Sequence, residues 1–336
     1  MKAAIFGCAG LQVSESERCF FSTHNPVGFI LFGRNIESPS QVRSLVETLK
    51  SCVDHHDPLI LIDQEGGRVA RLRPPHWPEY PTAATFGSLF AVNEAAGEEA
   101  VMLNARLIAD DLSQLGINVD CAPVLDIFYD GAADIIGDRA YDANVETVAR
   151  LGRKVCDGLL SGGVLPVIKH IPGHGRAVVD SHLELPVVDT SLDTLRQTDF
   201  APFRLFADAP LAMTAHVIYS AIDPHNPATV SKSVIADIVR GDIGFDGLLM
   251  SDDLSMKALV GTMRERAVAA IAAGCDVVLH CNGDMEEMTA VADACPSLSP
   301  RSTQRLESAL AALATPGTLD RSCALNKVKL LMEGAA

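Results

Sequence analysis

The chain has 336 residues, 48% of them hydrophobic, and a formal net charge of −16. Such acidity speaks against nucleic acid, whose binders carry a basic face, and gives no support to an anionic membrane surface as partner. The nine cysteines are odd in number and scattered without a CxxC pair, which fits reduced thiols in a cytosol rather than a disulfide framework.

At the N-terminus the apolar stretch 3–6 before Gly7-Cys8 falls short of the ~7–15 residues of an exported signal. No stretch reaches the ~18–20 apolar residues of a membrane span, so a cytoplasmic protein is expected. From Gly28 onward, short apolar runs alternate with helical periodicity. Residues 28–32 form a first buried strand ending at Arg34-Asn35, and Ser38-Pro39 then starts a helix through Val42, Leu45, Val46 and Leu49. The second strand, 58–62, runs into Asp63-Gln64-Glu65-Gly66-Gly67-Arg68, with Arg71 close behind. A helix over about 93–115 leads to the third strand, 116–120. Residues 122–126 and a loop holding Gly137-Asp138-Arg139 follow. The fourth strand, 164–168, ends at Lys169-His170, the fifth, 210–215, at His216, the sixth, 247–251, at Asp252-Asp253, and the seventh, 276–279, at His280 and Asn282. Helices are read near 231–240, 263–273 and 284–294.

Near-continuous apolar strands alternating with helices imply a parallel sheet covered on both faces. Polar residues fall repeatedly at the C-terminal ends of those strands, where a (β/α)8 TIM-type barrel builds its active site. No Gly-x-Gly-x-x-Gly or P-loop argues for a doubly wound sheet instead. With no linker or low-complexity tract, residues 1–336 read as a single barrel domain. Seven strands are counted. The eighth unit is left open between the run 3–6 and the mostly helical region after Pro300.

The stretch 165–185 carries the densest chemistry. After the strand come Lys169, His170, His174, Arg176, Asp180, His182 and Glu184 on a loop shaped by Pro172, Gly173 and Gly175. A loop that only connects is usually ~4–6 residues long. It reads as a solvated connection, as a metal site using His170, His174 and His182, or as acid/base chemistry. In the last reading Asp180 and His182, at i,i+2 in extended chain, lie on one side, so the carboxylate bonds one ring nitrogen and aims the other outward.

Lys169-His170-Ile171-Pro172-Gly173-His174-Gly175, followed by Asp180-Ser181-His182, resembles the signature of family 3 glycoside hydrolases, nearest their bacterial β-N-acetylglucosaminidase branch. Ile171 stands where Phe is also common, and no sizeable C-terminal domain of the kind many members carry is expected. The resemblance spans roughly residues 28–282 and implies a retaining exo-β-N-acetylglucosaminidase. Residue by residue, it makes Asp252 the nucleophile, His182 the acid/base and Asp180 its orienting partner. It further makes Asp63, Arg71, Arg139, Lys169 and His170 the sugar-binding wall. Against these stand plain alternatives: a helix N-cap for Asp252 or Asp253, a surface ion pair for Arg71, a structural hydrogen-bonding role for His216. The resemblance also implies peptidoglycan-derived muropeptides as substrate, GlcNAc linked to 1,6-anhydro-N-acetylmuramic acid with or without peptide. No cofactor and no metal are expected, because Lys169 beside His170 makes a second cation unwelcome. The partner is then a small carbohydrate, with no nucleic acid and no membrane, and the chain is expected to be a monomer. Two rivals stay open: a phosphorylase of the same family, and a non-catalytic sugar-binding barrel.

Overall fold

Eight strands run parallel around a closed ring, and each pairs with the strands before and after it in sequence. They are β1 (Lys2–Gly7), β2 (Pro26–Leu31), β3 (Leu59–Ile62), β4 (Val119–Asp120), β5 (Leu165–Ile171), β6 (Leu211–Thr214), β7 (Leu248–Asp253) and β8 (Val277–His280). The computed structural model describes residues 1–334 except Ala133, Val178, Asp180, His182 and Leu183. The barrel confirms the (β/α)8 fold class and supplies the missing unit. The run 3–6 is part of β1, which closes the ring by pairing with β2 and, through Ala4↔Val278, Ile5↔Leu279 and Phe6↔His280, with β8.

The strands read as continuously apolar because both of their faces are buried. One set of side chains, including Ile5, Ile30, Leu59, Leu61, Val167, Leu211 and Leu248, fills the barrel interior. The alternate set, including Ala4, Phe6, Phe29, Leu31, Ile60, Ile62, Ile168 and Leu249, packs outward against helices. The two sets follow the period of two that a pleated strand imposes. The helix Pro300–Ala311 sends Leu306 and Ala309 into the interior cluster, so the helical region after Pro300 contributes to the inner core rather than a strand. Asp276 pins that helix: its carboxylate accepts from Ser302 and Arg305 on one oxygen and from the Leu249 N–H and Arg240 on the other.

Helix Pro39–Lys50 begins as the sequence predicts. Ser38 caps it, Pro39 occupies the first turn, and Val42, Leu45, Val46 and Leu49 are its buried face. The predicted helix over 93–115 is Glu94–Ser113, capped by Asn93. Two helices that lack a clean apolar stripe, Glu15–His24 and Ala83–Val92, were not anticipated, nor was Val145–Ser161.

Two strands carry an extra residue near their C-terminal ends. On β5 the pairing with β6 steps from Lys169↔Met213 to Ile171↔Thr214. On β7 the pairing with β8 steps from Met250↔Val277 to Asp253↔Leu279. A bulge re-aims the side chains around it. Here the two bulged segments turn consecutive residues, Lys169 with His170 and Asp252 with Asp253, toward one cleft.

Candidate active site

The cleft opens at the C-terminal end of the barrel and measures about 330 Å³. Asp63, Arg71, Arg139, Lys169, His170 and Asp252 all line it, contributed by elements from β3 to β7. The Asp180 and His182 positions lie outside the described residues, and so does the loop pairing inferred for them.

One wall is a chain of charges. Asp63 follows directly on β3, and its two oxygens accept from Lys169 Nζ at 3.0 Å and Arg71 Nη2 at 2.9 Å. Lys169 Nζ also reaches Glu65 Oε1 at 2.6 Å. Arg139 grips Glu65 with two prongs, Nε to Oε2 and Nη2 to Oε1, both at 2.8 Å. Burial would raise the Asp63 carboxyl, but Lys169 and Arg71 hold it far below the usual carboxylate range. Burial opposes ionisation of Glu65 in the same way, and Arg139 with Lys169 brings it down to about 2. Lys169 is only 2% exposed, yet those two carboxylates keep its ammonium charged against the cost of burial. Asp63 and Lys169 each retain hydrogen-bonding capacity toward the cleft beyond these pairs, which suits them to ring hydroxyls.

Arg71 forms an ion pair, but with a half-buried carboxylate at the cleft rather than on open surface, and its guanidinium lies 5.1 Å from the centre of the Phe32 ring.

The adjoining wall is built on Asp126. This fully buried carboxylate accepts from His170 Nδ1 at 2.6 Å through one oxygen, and from the His170 and His174 backbone N–H groups at 3.2 and 2.6 Å through the other. His170 therefore leaves Nε2 as the ring nitrogen without a hydrogen bond among the described residues, in a tautomer set by Asp126. The Pro-Gly-His-Gly turn explains how the loop can come so close. Gly173 has φ +142° and its carbonyl accepts from the Tyr219 hydroxyl, while a side chain at Gly175 would collide with the Ile127 carbonyl. Burial drives the His174 imidazole down to about 4, so it is neutral near pH 7, and its Nε2 lies 3.1 Å from Ser181 Oγ.

Asp252 sits on the bulge of β7. Its Oδ1 accepts from the Asp253 N–H at 2.8 Å, and its other oxygen takes no hydrogen bond among the described residues. Burial works against its charge, yet the carboxyl is held below its usual range by the His216 and His170 imidazoles when they are protonated, and by the Asp253 N–H and Lys169. An ionised carboxylate with one committed oxygen is equipped to attack an electrophilic carbon. Asp253 does something else. It accepts from the Ser255 N–H at 3.0 Å, the Ser255 hydroxyl at 2.5 Å and the Cys281 N–H at 3.1 Å, tying the turn after β7 to the end of β8. The two adjacent acids thus have separate duties, and neither caps a helix.

His216 does not line the cleft. It is fully buried behind the β7 bulge, bonded to Thr229 and to the Asp253 carbonyl. Sequence reasoning named neither Glu65 nor Asp126 as site residues. Glu65 was within reach, since it stands two residues after Asp63 on extended chain and shares its side.

The sequence profile described as the glycosyl hydrolase family 3 N terminal domain matches residues 6–315. A protein named beta-hexosaminidase from Alkalilimnicola ehrlichii is 38% identical over 307 residues, covering 90% of this chain and 86% of that one. A beta-hexosaminidase from Chromobacterium violaceum is 38% identical over 303 residues, covering 89% and 84%. Among solved structures, NagZ from Neisseria gonorrhoeae in complex with N-trifluoroacetyl-D-glucosamine superposes with a TM-score of 0.86 at 32% identity, covering 98% of both chains. A family 3 beta-N-acetylglucosaminidase from Paenibacillus sp. gives a TM-score of 0.87 at 32% identity; it is longer, and this chain spans 66% of it. With the barrel, the charged wall and the bulge-borne carboxylate in place, these matches assign the chain to glycosyl hydrolase family 3.

Proposed function

We propose that the protein is a retaining exo-β-N-acetylglucosaminidase that removes terminal GlcNAc from peptidoglycan-derived muropeptides in the cytoplasm, in the service of cell-wall recycling. The observation that carries the reading is Asp252: an ionised carboxylate, raised on a bulge, facing a cleft whose opposite wall is the Asp63–Lys169–Arg71 cluster. The likeness to proteins named beta-hexosaminidase and NagZ supports the choice of sugar.

In this mechanism the terminal sugar is held by Asp63, Arg71, Arg139, Lys169 and His170. Asp252 attacks the anomeric carbon while His182 protonates the departing glycosidic oxygen, giving a glycosyl-enzyme. His182, oriented by Asp180, then takes a proton from water, which displaces Asp252 from the same face that the aglycone left. Two inversions return the original configuration. An imidazole begins near ~6.5, close to the pH at which it must both give and accept a proton.

The test is hydrolysis of an aryl β-N-acetylglucosaminide against the plain aryl β-glucoside, followed by GlcNAc-1,6-anhydro-N-acetylmuramic acid, with the first sugar product observed by NMR. Rapid release of β-configured N-acetylglucosamine from both N-acetyl substrates is the expected result. Preference for the glucoside, an α-configured first product, or a sugar phosphate when phosphate is present would overturn it.

A further inference from the structure

Behind Asp252 the barrel wall contains a closed run of hydrogen bonds that the reaction scheme does not use. The backbone ladder between β6 and β7 ends at Met250↔Met213, before Asp252 is reached. On the other side the β7–β8 register slips across the same residues. The segment carrying Asp252 therefore has lost regular strand pairing on both sides. Its bonds go instead to buried side chains. The Asp252 N–H donates to Thr214 Oγ1 at 3.3 Å. Thr214 Oγ1 lies 2.8 Å from Thr229 Oγ1, and Thr229 Oγ1 lies 2.7 Å from His216 Nδ1. His216 Nε2 lies 3.0 Å from the Asp253 carbonyl oxygen. Thr214, His216 and Thr229 are all 0% exposed.

The direction of each proton follows from the ends. A carbonyl only accepts, so His216 Nε2 carries a proton and donates to Asp253. In a neutral imidazole Nδ1 is then the acceptor, and Thr229 supplies the proton. Thr229 has one hydroxyl proton. It lies closer to His216 Nδ1 than to its other acceptor, the Ala215 carbonyl at 3.2 Å. Thr214 must therefore donate to Thr229, which leaves Thr214 Oγ1 to accept from Asp252. Every group is used once, and the run starts and finishes on the two residues of the bulge. Burial, which pushes the His216 imidazole below its usual range, favours the neutral ring that this order requires.

We infer that Thr214, Thr229 and His216 are positioning residues for the nucleophile: their hydrogen-bonded run replaces the missing strand ladder and fixes the bulge so that the Asp252 carboxylate faces the anomeric carbon. This rests on the assignment of Asp252 as nucleophile. None of the three touches the cleft, so their effect falls on the chemical step and not on sugar binding. Displacement of a reacting group by about 1 Å is enough to cost on the order of a hundredfold.

The experiment compares Thr229→Val, which keeps the shape and removes the hydroxyl, with Thr229→Ser, which keeps the hydroxyl. Asp252→Ala is the reference. The readouts are the single-turnover rate of glycosyl-enzyme formation from a dinitrophenyl β-N-acetylglucosaminide and the affinity for N-acetylglucosamine. Thr229→Val should slow formation about tenfold or more with affinity within about twofold, and Thr229→Ser should restore the rate. Wild-type rates in Thr229→Val beside a dead Asp252→Ala would overturn the positioning role and leave the nucleophile standing. An active Asp252→Ala would instead remove the nucleophile itself. Should Thr229→Val fail to fold, Thr214→Val and the wild-type tautomer decide. In ¹⁵N-histidine spectra, with His216 identified by its loss in His216→Gln, the ring should be neutral with its proton on Nε2 near pH 7. A proton on Nδ1, or an imidazolium, overturns the inference.

Discussion

Asp126 Oδ2 and His170 Nδ1 meet at 2.6 Å inside the wall of the cleft, and the second oxygen of the same carboxylate holds the backbone of both His170 and His174. One buried acid thus sets the ring of a cleft-lining histidine and the start of the loop that follows it. In Asp126→Asn the amide offers a single acceptor oxygen to three donors. A hydrogen bond to a charged group contributes about 1.5–3 kcal/mol, so kcat/KM on an aryl N-acetylglucosaminide should fall roughly ten- to a hundredfold. A loss below twofold would mean that His170 keeps its orientation without Asp126.

The two walls of the cleft together make stability depend on pH. The His174 ring is depressed from the usual histidine range to about 4 and Glu65 to about 2. A group with a depressed folded pKa stabilises above its unfolded pKa, and that stability is lost as pH falls through the folded value. His174 therefore acts first, across roughly pH 6.5 to 4, and Glu65 below it, across roughly pH 4.5 to 2. Urea midpoints of the wild type should decline through both windows. His174→Gln should flatten the upper one only, and an unchanged slope there would refute the assignment.

Glu65→Gln removes a charge that balances Lys169 and Arg139 at once. Breaking a buried pair from one side typically costs about 3–5 kcal/mol. The melting temperature should drop by several degrees, and binding of N-acetylglucosamine should weaken because Lys169 and Arg139 lose the carboxylate that bridges them and repel each other. A variant as stable as the wild type would show that Asp63 alone anchors Lys169.

The two adjacent acids on β7 should fail differently. Asp252→Ala is expected to fold normally and turn over nothing. Asp253→Ala deletes the acceptor for Ser255 and Cys281, so it should lose about 1–3 kcal/mol of stability and retain measurable turnover. A dead, fully stable Asp253→Ala with an active Asp252→Ala would move the nucleophile by one residue.

His182→Ala should discriminate between leaving groups. A nitrophenolate departs without a proton, whereas a sugar alkoxide needs one, and general acid help is typically worth ~10²–10⁴-fold. The variant should lose that factor on a disaccharide. On the activated aryl glycoside it should show a burst followed by slow release, which azide accelerates. Equal slowing of both substrates without a burst would make His182 a binding residue.

The sequence displayed the site wherever an apolar strand stops at a polar residue. That break placed Asp63, Lys169, His170 and Asp252 at strand ends, and the barrel gathers them at one cleft. It was silent at Asp126, which lies past the two-residue strand β4 in a segment whose strand-like pairing with β5 is the isolated bridge Val124↔Lys169. No periodicity survives so short a pairing. The bulges were equally invisible. An extra residue in a strand changes which neighbours face the cleft, yet it leaves the run of residue types unaltered. The count of seven strands had a related cause, because the Ala3–Phe6 run is too brief to identify itself. It becomes a strand only through partners at both ends of the chain.

That last pairing has a consequence for synthesis. β1 emerges first and can join β2 almost at once, but its other edge has no neighbour until Val277–His280 has been made. Through most of translation the growing sheet carries two open edges, and the cleft has neither its β7 carboxylate nor a closed floor. The nascent chain should therefore remain protease-sensitive and dependent on chaperones until its last strand is released, after which one zipping event completes the ring and the cleft together.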